Sequence, residues 1–138
     1  MSERTTTEGT TAADGEPAAA AGEPAAAGGV PGADGATIFV DLADEAPLPR
    51  RGILSQTLSD ADGVELVLFA FAAGERLSEH TSARPAIVHI LEGEADVTVG
   101  GRAVDARAGT WFRMPARMPH SVVARTPLRM ALYLLPKP

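Results

Sequence analysis

Three histidines are the residues of this chain best suited to chemistry, and the chain contains no cysteine. A neutral imidazole is a ligand for Zn, Fe, Cu or Ni, so the histidines are candidate metal ligands. One of them, His80, lies in the stretch GERLSEHTSARPAIVHILEG, residues 74–93. Side chains two positions apart on a strand share one face, so a second ligand is expected at position 82. That position holds Ser82, and the stretch therefore predicts a metal-binding strand pair that lacks one ligand.

The elements that position the histidines are predicted to be short β-strands. Apolar, β-branched or alternating segments recur with turn residues about every 8–12 positions, and no segment has sustained helical periodicity. The segments are residues 37–41, 52–60, 64–71, 86–91, 94–99, 102–106, 110–114, 120–125 and 128–135. Gly100 and Gly101 predict a two-residue hairpin turn, because glycine accepts the positive φ that such turns require. This pattern predicts an all-β sandwich or barrel of about 8–10 antiparallel strands.

Residues 1–36 differ from the rest in composition and are predicted to be a disordered tail. They are rich in Ala, Gly, Thr, Glu and Pro, contain no aromatic residue and repeat the motif GEPAAA. Prolines and glycines interrupt every helix-forming run, and there is little apolar surface to offset the ordering entropy. The tail carries −5 of the chain's net charge of −6, which leaves −1 on the predicted domain, residues 37–138. A nearly neutral domain is not expected to bind nucleic acid, because phosphate binding needs clustered basic residues.

Membrane insertion and export are not expected from this sequence. No apolar run approaches the ~18 residues of a membrane-spanning helix. The first residues, MSERTTTEGTTAADGEP, are acidic and lack an apolar segment, which is the wrong chemistry for a signal or transit peptide. We therefore expect a cytoplasmic protein without a membrane partner.

The spacing of residues 74–93 resembles the first motif of the cupin superfamily. In that motif a Gly is followed after five residues by His-x-His, then by Glu after three or four residues, and by a second Gly after six more. The positions that match the named residues of this motif hold Gly74, His80, Ser82, Ala86 and Gly93. The spacing fits throughout, but Ser82 and Ala86 replace the second His and the Glu.

The second cupin motif is matched by residues 109–124. In that motif a Gly is followed after five residues by Pro-x-Gly, then by His after two more residues and by Asn after another three. The positions that match the named residues of this motif hold Gly109, Pro115, Arg117, His120 and Ala124. The resemblance covers about residues 50–135 and implies a small single-domain cupin barrel of jelly-roll type. In the family, the first motif supplies two His and one Glu as metal ligands and the second supplies one His. The resemblance therefore implies His80 and His120 as metal ligands.

Two imidazoles make an incomplete metal site. The divalent ions expected at His80 and His120 are Zn, Fe, Mn or Ni, but zinc sites use three or four protein ligands. Residues 86, 88 and 90 are expected to face the interior of the barrel, so His89 is expected to face outward. His89 joins the site only if a β-bulge turns its side chain to the inner face. An alternative without metal is that His80 and His120 are hydrogen-bonded polar residues at the mouth of an apolar barrel, sharing a water molecule.

The other charged and aromatic residues near the motifs have simpler expected roles. Arg84, Arg113 and Arg117 are suited to binding a carboxylate ligand, although solvated or ion-paired side chains are the favoured interpretation. The aromatic residues expected in the core are Phe69, Phe71, Trp111 and Phe112. No nucleophile with an adjacent base, phosphate loop or carboxylate pair is visible, so the catalytic residues are unknown.

Two functions stay open at this point. The first is a small stand-alone cupin that binds a small organic ligand in the barrel, with a weakly held divalent metal at the two-His site. The alternative is a metal-dependent cupin enzyme of the dioxygenase, isomerase or lyase type, which the resemblance also allows. The ligand count favours binding over turnover, and whether the chain is an enzyme is left undecided. A homodimer formed through a strand edge or an outer sheet face is also expected, because a domain of about 100 residues buries limited apolar surface.

Overall fold

The computed structural model describes residues 30–31 and 35–137, and this part of the chain forms eleven strands and one 3-10 helix. The strands are β1 (Val30–Pro31), β2 (Thr37–Ile38), β3 (Ile53–Ala61), β4 (Val64–Phe71), β5 (Arg76–His80), β6 (Ala86–Glu92), β7 (Glu94–Val99), β8 (Arg102–Arg107), β9 (Trp111–Met114), β10 (His120–Ala124) and β11 (Leu128–Leu134), and the 3-10 helix is Leu42–Glu45. Nine strands form two antiparallel sheets, so the predicted all-β jelly-roll barrel is confirmed. Among the described residues, no helix has the length and apolar character needed to span a membrane.

The chain winds back and forth between the two sheets. The order of strands is β3-β4-β11-β6-β9 in the five-stranded sheet and β5-β10-β7-β8 in the four-stranded sheet. From β5 to β11 the chain changes sheet at every connection except the hairpin between β7 and β8, which is the winding of a jelly roll. This topology places β5 beside β10, although they are far apart in sequence, and so brings their terminal histidines together.

The main core lies between the two sheets. Phe71, Ile90 and Met114 fill it from the five-stranded sheet, and Val97 and Val122 fill it from the four-stranded sheet. Strand β7 alternates between buried apolar and exposed acidic residues, as expected for a sheet with one face in solvent. The alternation predicted for residues 94–99 therefore reflects an outer face that is not covered by described residues.

A second apolar cluster lies on the outer face of the five-stranded sheet. Leu66 and Leu68 of β4 point outward and pack against Leu42 and Ala46 of the segment that precedes β3. Arg129 of β11 holds this segment in place, because its Nε donates a 2.8 Å hydrogen bond to the Ala46 carbonyl oxygen. Strand β4 is therefore buried on both faces from residue 66 to residue 71, which explains the continuous apolar sequence LVLFAF.

Most predicted strands agree with the structure. Strands β4 and β7 have the predicted bounds, and the predicted hairpin turn joins β7 to β8 with φ values of 56° at Gly100 and 83° at Gly101. Strand β5 was not among the predicted segments, because four of its five residues are polar. Its only apolar residue, Leu77, packs against the main core.

The expectation that Trp111 lies in the core is wrong. Its side chain is 57% exposed. Strand β9 alternates, with Phe112 and Met114 directed inward and Trp111 and Arg113 outward, and β9 is an edge strand of its sheet. Two adjacent aromatic residues on one strand cannot both face the same side.

The predicted disordered tail, residues 1–36, lies mostly outside the described residues. Within it, the structure describes Val30–Pro31, which pairs antiparallel with Thr37–Ile38, and residues 35–36. The division of the chain into a tail and a domain at residue 36 stays a prediction.

Candidate functional site

The candidate site is built around His80, the last residue of β5, and His120, the first residue of β10. The two residues are direct register partners in the four-stranded sheet. Their ring centroids are 4.3 Å apart, and the ring planes are inclined by 59°. The structure therefore brings together the two histidines predicted as ligands, whereas metal binding by them stays a prediction.

A β-bulge in β5 directs His80 toward the interior. The register pairs are His80 with His120 and Leu77 with Val122, so three steps along β5 correspond to two along β10. Leu77 and Val122 both belong to the main core. Residues 77 and 80 are three positions apart and would face opposite sides of a regular strand. The bulge between them absorbs one residue and directs both side chains to the inner face.

The tautomer of each histidine is set by a backbone carbonyl. Nδ1 of His80 lies 2.6 Å from the Ser78 oxygen, and Nδ1 of His120 lies 2.8 Å from the Met118 oxygen. A carbonyl oxygen only accepts hydrogen bonds, so each Nδ1 carries the proton and donates it. Nε2 of each neutral ring is left to accept a hydrogen bond or to bind a metal, and the Nδ1 contact orients the ring for either.

Burial keeps His120 neutral. The pKa of His120 lies below its ordinary value of 6.5, chiefly because burial disfavours the charged ring. The hydrogen bond to the Met118 carbonyl acts in the opposite direction, and the neighbouring ring of His80 lowers the pKa further. Near pH 7 this ring is therefore in the neutral form that binds metals and accepts hydrogen bonds.

The two remaining positions of the first motif supply no strong ligand. The Ser82 side chain is buried, and its Oγ accepts a 3.1 Å hydrogen bond from the Arg84 backbone N–H. Ala86 is 1% exposed and lies in the main core. Among residues 30–31 and 35–137, no group of three or more His, Cys, Asp or Glu side chains is placed to hold a metal ion. The residues present therefore fit a two-ligand site and do not fit a complete three- or four-ligand site.

The two rings are close enough for one bound atom to contact both, because their centroids are 4.3 Å apart. His80 and His120 are therefore the residues that would hold a metal ion, and two imidazoles alone would hold it weakly.

His89 lies on the other side of its sheet. Ala86, Val88 and Ile90 belong to the main core, as the alternation of β6 predicts. His89 has Ala131 and Trp111 as its register partners and faces outward with them. The register shift between β6 and β11 comes after His89 along β6, so it does not turn the His89 side chain inward. A site containing all three histidines is therefore not formed.

Three connections meet at the end of the barrel where the histidine pair lies, and this end is called the mouth below. They are the β5–β6 connection, the β7–β8 hairpin turn and the β9–β10 connection. The Arg117 N–H donates to the Ser82 carbonyl oxygen over 2.7 Å, and the Gly100 N–H donates to the Pro119 carbonyl oxygen over 2.8 Å. Met118 lies directly over Gly100, where a Cβ would be 3.1 Å from its sulfur.

The three arginines near the motifs have different roles. The Arg84 side chain donates one hydrogen bond to Glu65 and three to the carbonyl oxygens of residues 63, 134 and 135, so it is structural. Arg113 lies on the outward face of β9. Arg117 lies at the mouth with a φ of 67°. The favoured interpretation of ion-paired or solvated arginines is thus correct for Arg84 and Arg113.

Arg102 is a further residue at the mouth, and it lies outside both sequence motifs. Arg102 is the register partner of Val99, and Val99 in turn is the partner of His120. On β8, Val104 and Ala106 pack against the main core, so Arg102 has the inward-facing parity at the mouth. The signal was present in the segment RAVDA, where Arg102, Val104 and Ala106 alternate with outward residues.

The comparisons with known proteins agree with the fold. A family model described as the cupin domain matches residues 67–135. The chain belongs to the cupin family. A comparison with curated proteins finds no match for this cupin.

Several solved structures resemble this cupin. A conserved protein of unknown function from Streptococcus pyogenes is 29% identical, with a TM-score of 0.65, over 73% of this chain and 88% of that chain. A cupin superfamily protein from Desulfitobacterium hafniense is 28% identical, with a TM-score of 0.66, over 71% of this chain and 90% of that chain. A cupin 2 conserved barrel domain protein from Leptotrichia buccalis is 29% identical, with a TM-score of 0.62, over 67% of this chain and 45% of that longer chain.

Proposed function

We propose that this cupin is a binding protein that holds a small organic molecule at the mouth, in contact with His80 and His120. The observation that carries the proposal is the pair of adjacent rings, each with its Nδ1 proton committed to a backbone carbonyl. Two Nε2 atoms are thereby available to accept hydrogen bonds from hydroxyl or N–H groups. The partly buried apolar side chains of Val99 and Met118 lie beside the pair, and ligand sites combine such apolar surface with a few oriented polar groups.

In this proposal a divalent transition metal binds weakly at the same pair. His80 and His120 are the two residues that would hold a Zn, Fe, Mn or Ni ion, with water in the remaining positions. A bound ion would supply Lewis-acid contact to an oxygen of the ligand. Binding is weak because Ser82 and Ala86 contribute no charged ligand to offset the charge of the ion.

The ligand set supports binding rather than metal-dependent catalysis. Catalytic zinc sites use three protein ligands and keep one position open for substrate or water. Among the described residues, the mouth offers two imidazoles and no carboxylate at the position of Ala86. We therefore prefer the binding protein over the dioxygenase, isomerase or lyase alternative.

Ligand binding is tested by recording amide NMR spectra of the full chain with a set of small organic compounds. Saturable shifts are expected at the amides of Ser82, Val99 and His120, which surround the mouth. The matched variant His120→Ala should weaken binding of the compounds found, whereas His89→Ala, on the outer face, should not. A chemically diverse set in which no compound shifts the mouth amides would contradict the proposal.

Metal binding is tested by calorimetric titration of untagged protein with Zn or Ni. We expect one ion per chain with a dissociation constant of about 1 μM or weaker, and about a tenfold or greater loss of affinity in His80→Ala or His120→Ala. His89→Ala serves as the control, because it removes an imidazole from the chain without touching the mouth. Equal metal binding by all four proteins would contradict a site at the histidine pair.

We also propose that this cupin forms a homodimer through the outer face of β6 and β9. Trp111 is 57% exposed there and pairs in register with His89, and Ile87 lies on the same face. Residues 39–46 cover the β3–β4 side of this apolar face, and Trp111 extends it to the edge strand. Light scattering during size-exclusion chromatography should give a dimer for the native chain and a monomer for Trp111→Ser. The control Arg76→Ser, on the other sheet, should stay dimeric; a native monomer would refute the dimer.

A further inference from the structure

Two arginines at the mouth, Arg102 and Arg117, have no carboxylate partner among the described residues. We propose that the organic ligand of this cupin carries a carboxylate group and that these two guanidinium groups bind it. The inference rests on the proposed function and names the chemical class of the ligand.

The position of Arg102 follows from the register of the four-stranded sheet. The row Arg102, Val99, His120 and His80 crosses all four strands at positions with inward-facing parity, and Arg102 at its end is exposed. Adjacent strands are about 4.8 Å apart, so the Cα atom of Arg102 lies roughly 10 Å from that of His120. An extended arginine side chain covers most of this distance. Its guanidinium can therefore hold one end of a molecule whose other end contacts the imidazoles.

The position of Arg117 follows from its backbone. Its N–H donates to the Ser82 carbonyl oxygen, so Arg117 lies beside the connection that leaves β5. Arg102 is on β8, at the opposite edge of the same sheet. Arg117 has a φ of 67°, which L side chains rarely adopt and which glycine adopts freely. Such backbone conformations persist preferentially where a side chain has a task, as at ligand clamps.

Position, and not exposure, distinguishes these two arginines from the others, because Arg102 and Arg117 are also exposed. The arginines bonded to carboxylates are Arg84, Arg125 and Arg129. The exposed arginines on outer strand faces are Arg76, Arg107 and Arg113, and the exposed Arg50 and Arg51 precede β3. Glu65, an acidic residue with inward-facing parity on β4, is bonded to Arg84 and Thr57. Glu79, whose charge acts on His120, is exposed, and an exposed carboxylate competes only weakly for a guanidinium.

The chemistry of the two groups selects the ligand class. A guanidinium forms two parallel, charge-assisted hydrogen bonds with a carboxylate, a geometry that a neutral amide cannot reproduce. Each histidine donates its Nδ1 hydrogen to a backbone carbonyl oxygen, so its Nε2 can accept a hydrogen bond from the remainder of the molecule. The mouth thus combines cationic donors with hydrogen-bond acceptors, which fits an organic acid that also carries a hydroxyl or N–H group.

The test uses 4-hydroxybenzoate and 6-hydroxyhexanoate, each of which carries a hydroxyl group, together with the primary amide of each acid as a neutral match in shape. NMR titration of the full chain is expected to give saturable shifts at Val99 and His120 with the acids, and roughly tenfold weaker binding of the amides. Arg102→Gln and Arg117→Gly should each weaken acid binding by about tenfold and leave amide binding unchanged. Arg113→Gln, on the outer face, should change neither.

Folding is checked in parallel by thermal unfolding. Arg117→Gly relieves the positive φ and should keep the unfolding midpoint at or above that of the native chain, so a loss of acid binding in this variant is not a loss of fold. Acids and amides that bind equally would overturn the inference while leaving the proposed function intact. Acid binding that is insensitive to both substitutions would also overturn it, as would the absence of acid binding. The compound screen decides the proposed function independently.

Discussion

Restoring a carboxylate at position 86 is expected to make the stability of this cupin depend on metal. Ala86 is 1% exposed, and its register partners are Met114 and Leu134, both apolar and buried. Ala86→Glu therefore introduces a carboxylate without a partner, which should destabilise the metal-free fold by about 3 kcal/mol. For a domain of about 100 residues, this lowers the unfolding midpoint by roughly 12–24 °C.

A metal ion should reverse most of this loss. The new carboxylate and the two imidazoles would form a three-ligand site, provided that position 86 faces the histidine pair. At an ion concentration about 100 times the dissociation constant, binding stabilises the folded state by about 2.7 kcal/mol. The assay is thermal unfolding of the native chain and the variant, in chelator and in increasing Zn or Ni. The variant should gain about 10–20 °C with metal, and the native chain much less.

Two controls separate coordination from packing. Ala86→Gln has nearly the same volume as the glutamate variant but no charge, so it should be destabilised without responding strongly to metal. Adding His80→Ala to the glutamate variant should remove the metal response. If saturating metal leaves the midpoint of Ala86→Glu unchanged, position 86 does not face the two rings, and the assignment of the mouth is wrong.

Three further predictions concern stability. The pKa of His120 in the folded chain lies below its ordinary value of 6.5, so as the pH falls the unfolded chain takes up a proton on this ring before the folded chain does. The contribution of the neutral ring to the free energy of unfolding is therefore complete above about pH 6.5 and is lost as the pH falls toward the folded pKa. Urea unfolding at several pH values should show this term in the native chain, and an equal slope in His120→Gln would contradict it. Arg84→Met removes four hydrogen bonds and should lower the free energy of unfolding by about 3 kcal/mol, with Arg113→Met as a control near zero. Gly93→Ala should cost more than about 2 kcal/mol, because φ is 94° and a Cβ would overlap the Pro127 carbonyl oxygen; unfolding midpoints close to native would refute this.

The sequence predicted those parts of the fold in which side-chain pattern and backbone agree. Residues 66–71 are apolar because this part of β4 is buried on both faces, and residues 94–99 alternate because β7 is buried on one face. The outward orientation of His89 also followed from alternation alone. Strand β5 was expected only as part of the strand pair in residues 74–93, and its bounds were not predicted because four of its five residues are polar. The bulge between Leu77 and His80 also breaks the alternation that would have marked it.

Contacts between distant segments could not be predicted in the same way. The hydrogen-bond partners of Arg84 lie 19 to 51 positions away in the sequence, so nothing local to Arg84 identifies them. Arg102 is placed near His120 only by the register of β8 with β7 and of β7 with β10. Trp111 and Phe112 are both aromatic, and the sequence alone does not say which of two neighbours on an edge strand faces the core.

The additional residue in β5 has a consequence for how this site can be gained or lost. The three steps from Leu77 to His80 on β5 span the same length as two steps on β10, so the bulge absorbs one residue while both side chains face inward. Deleting Ser78 or Glu79, a change of a single codon, would leave two steps on each strand, and a regular strand with that spacing still directs both side chains to the same face. A deletion of one residue at this point is therefore expected to remove the bulge and keep the imidazole inside the barrel, so the histidine pair tolerates a change in strand length that a regular strand would not.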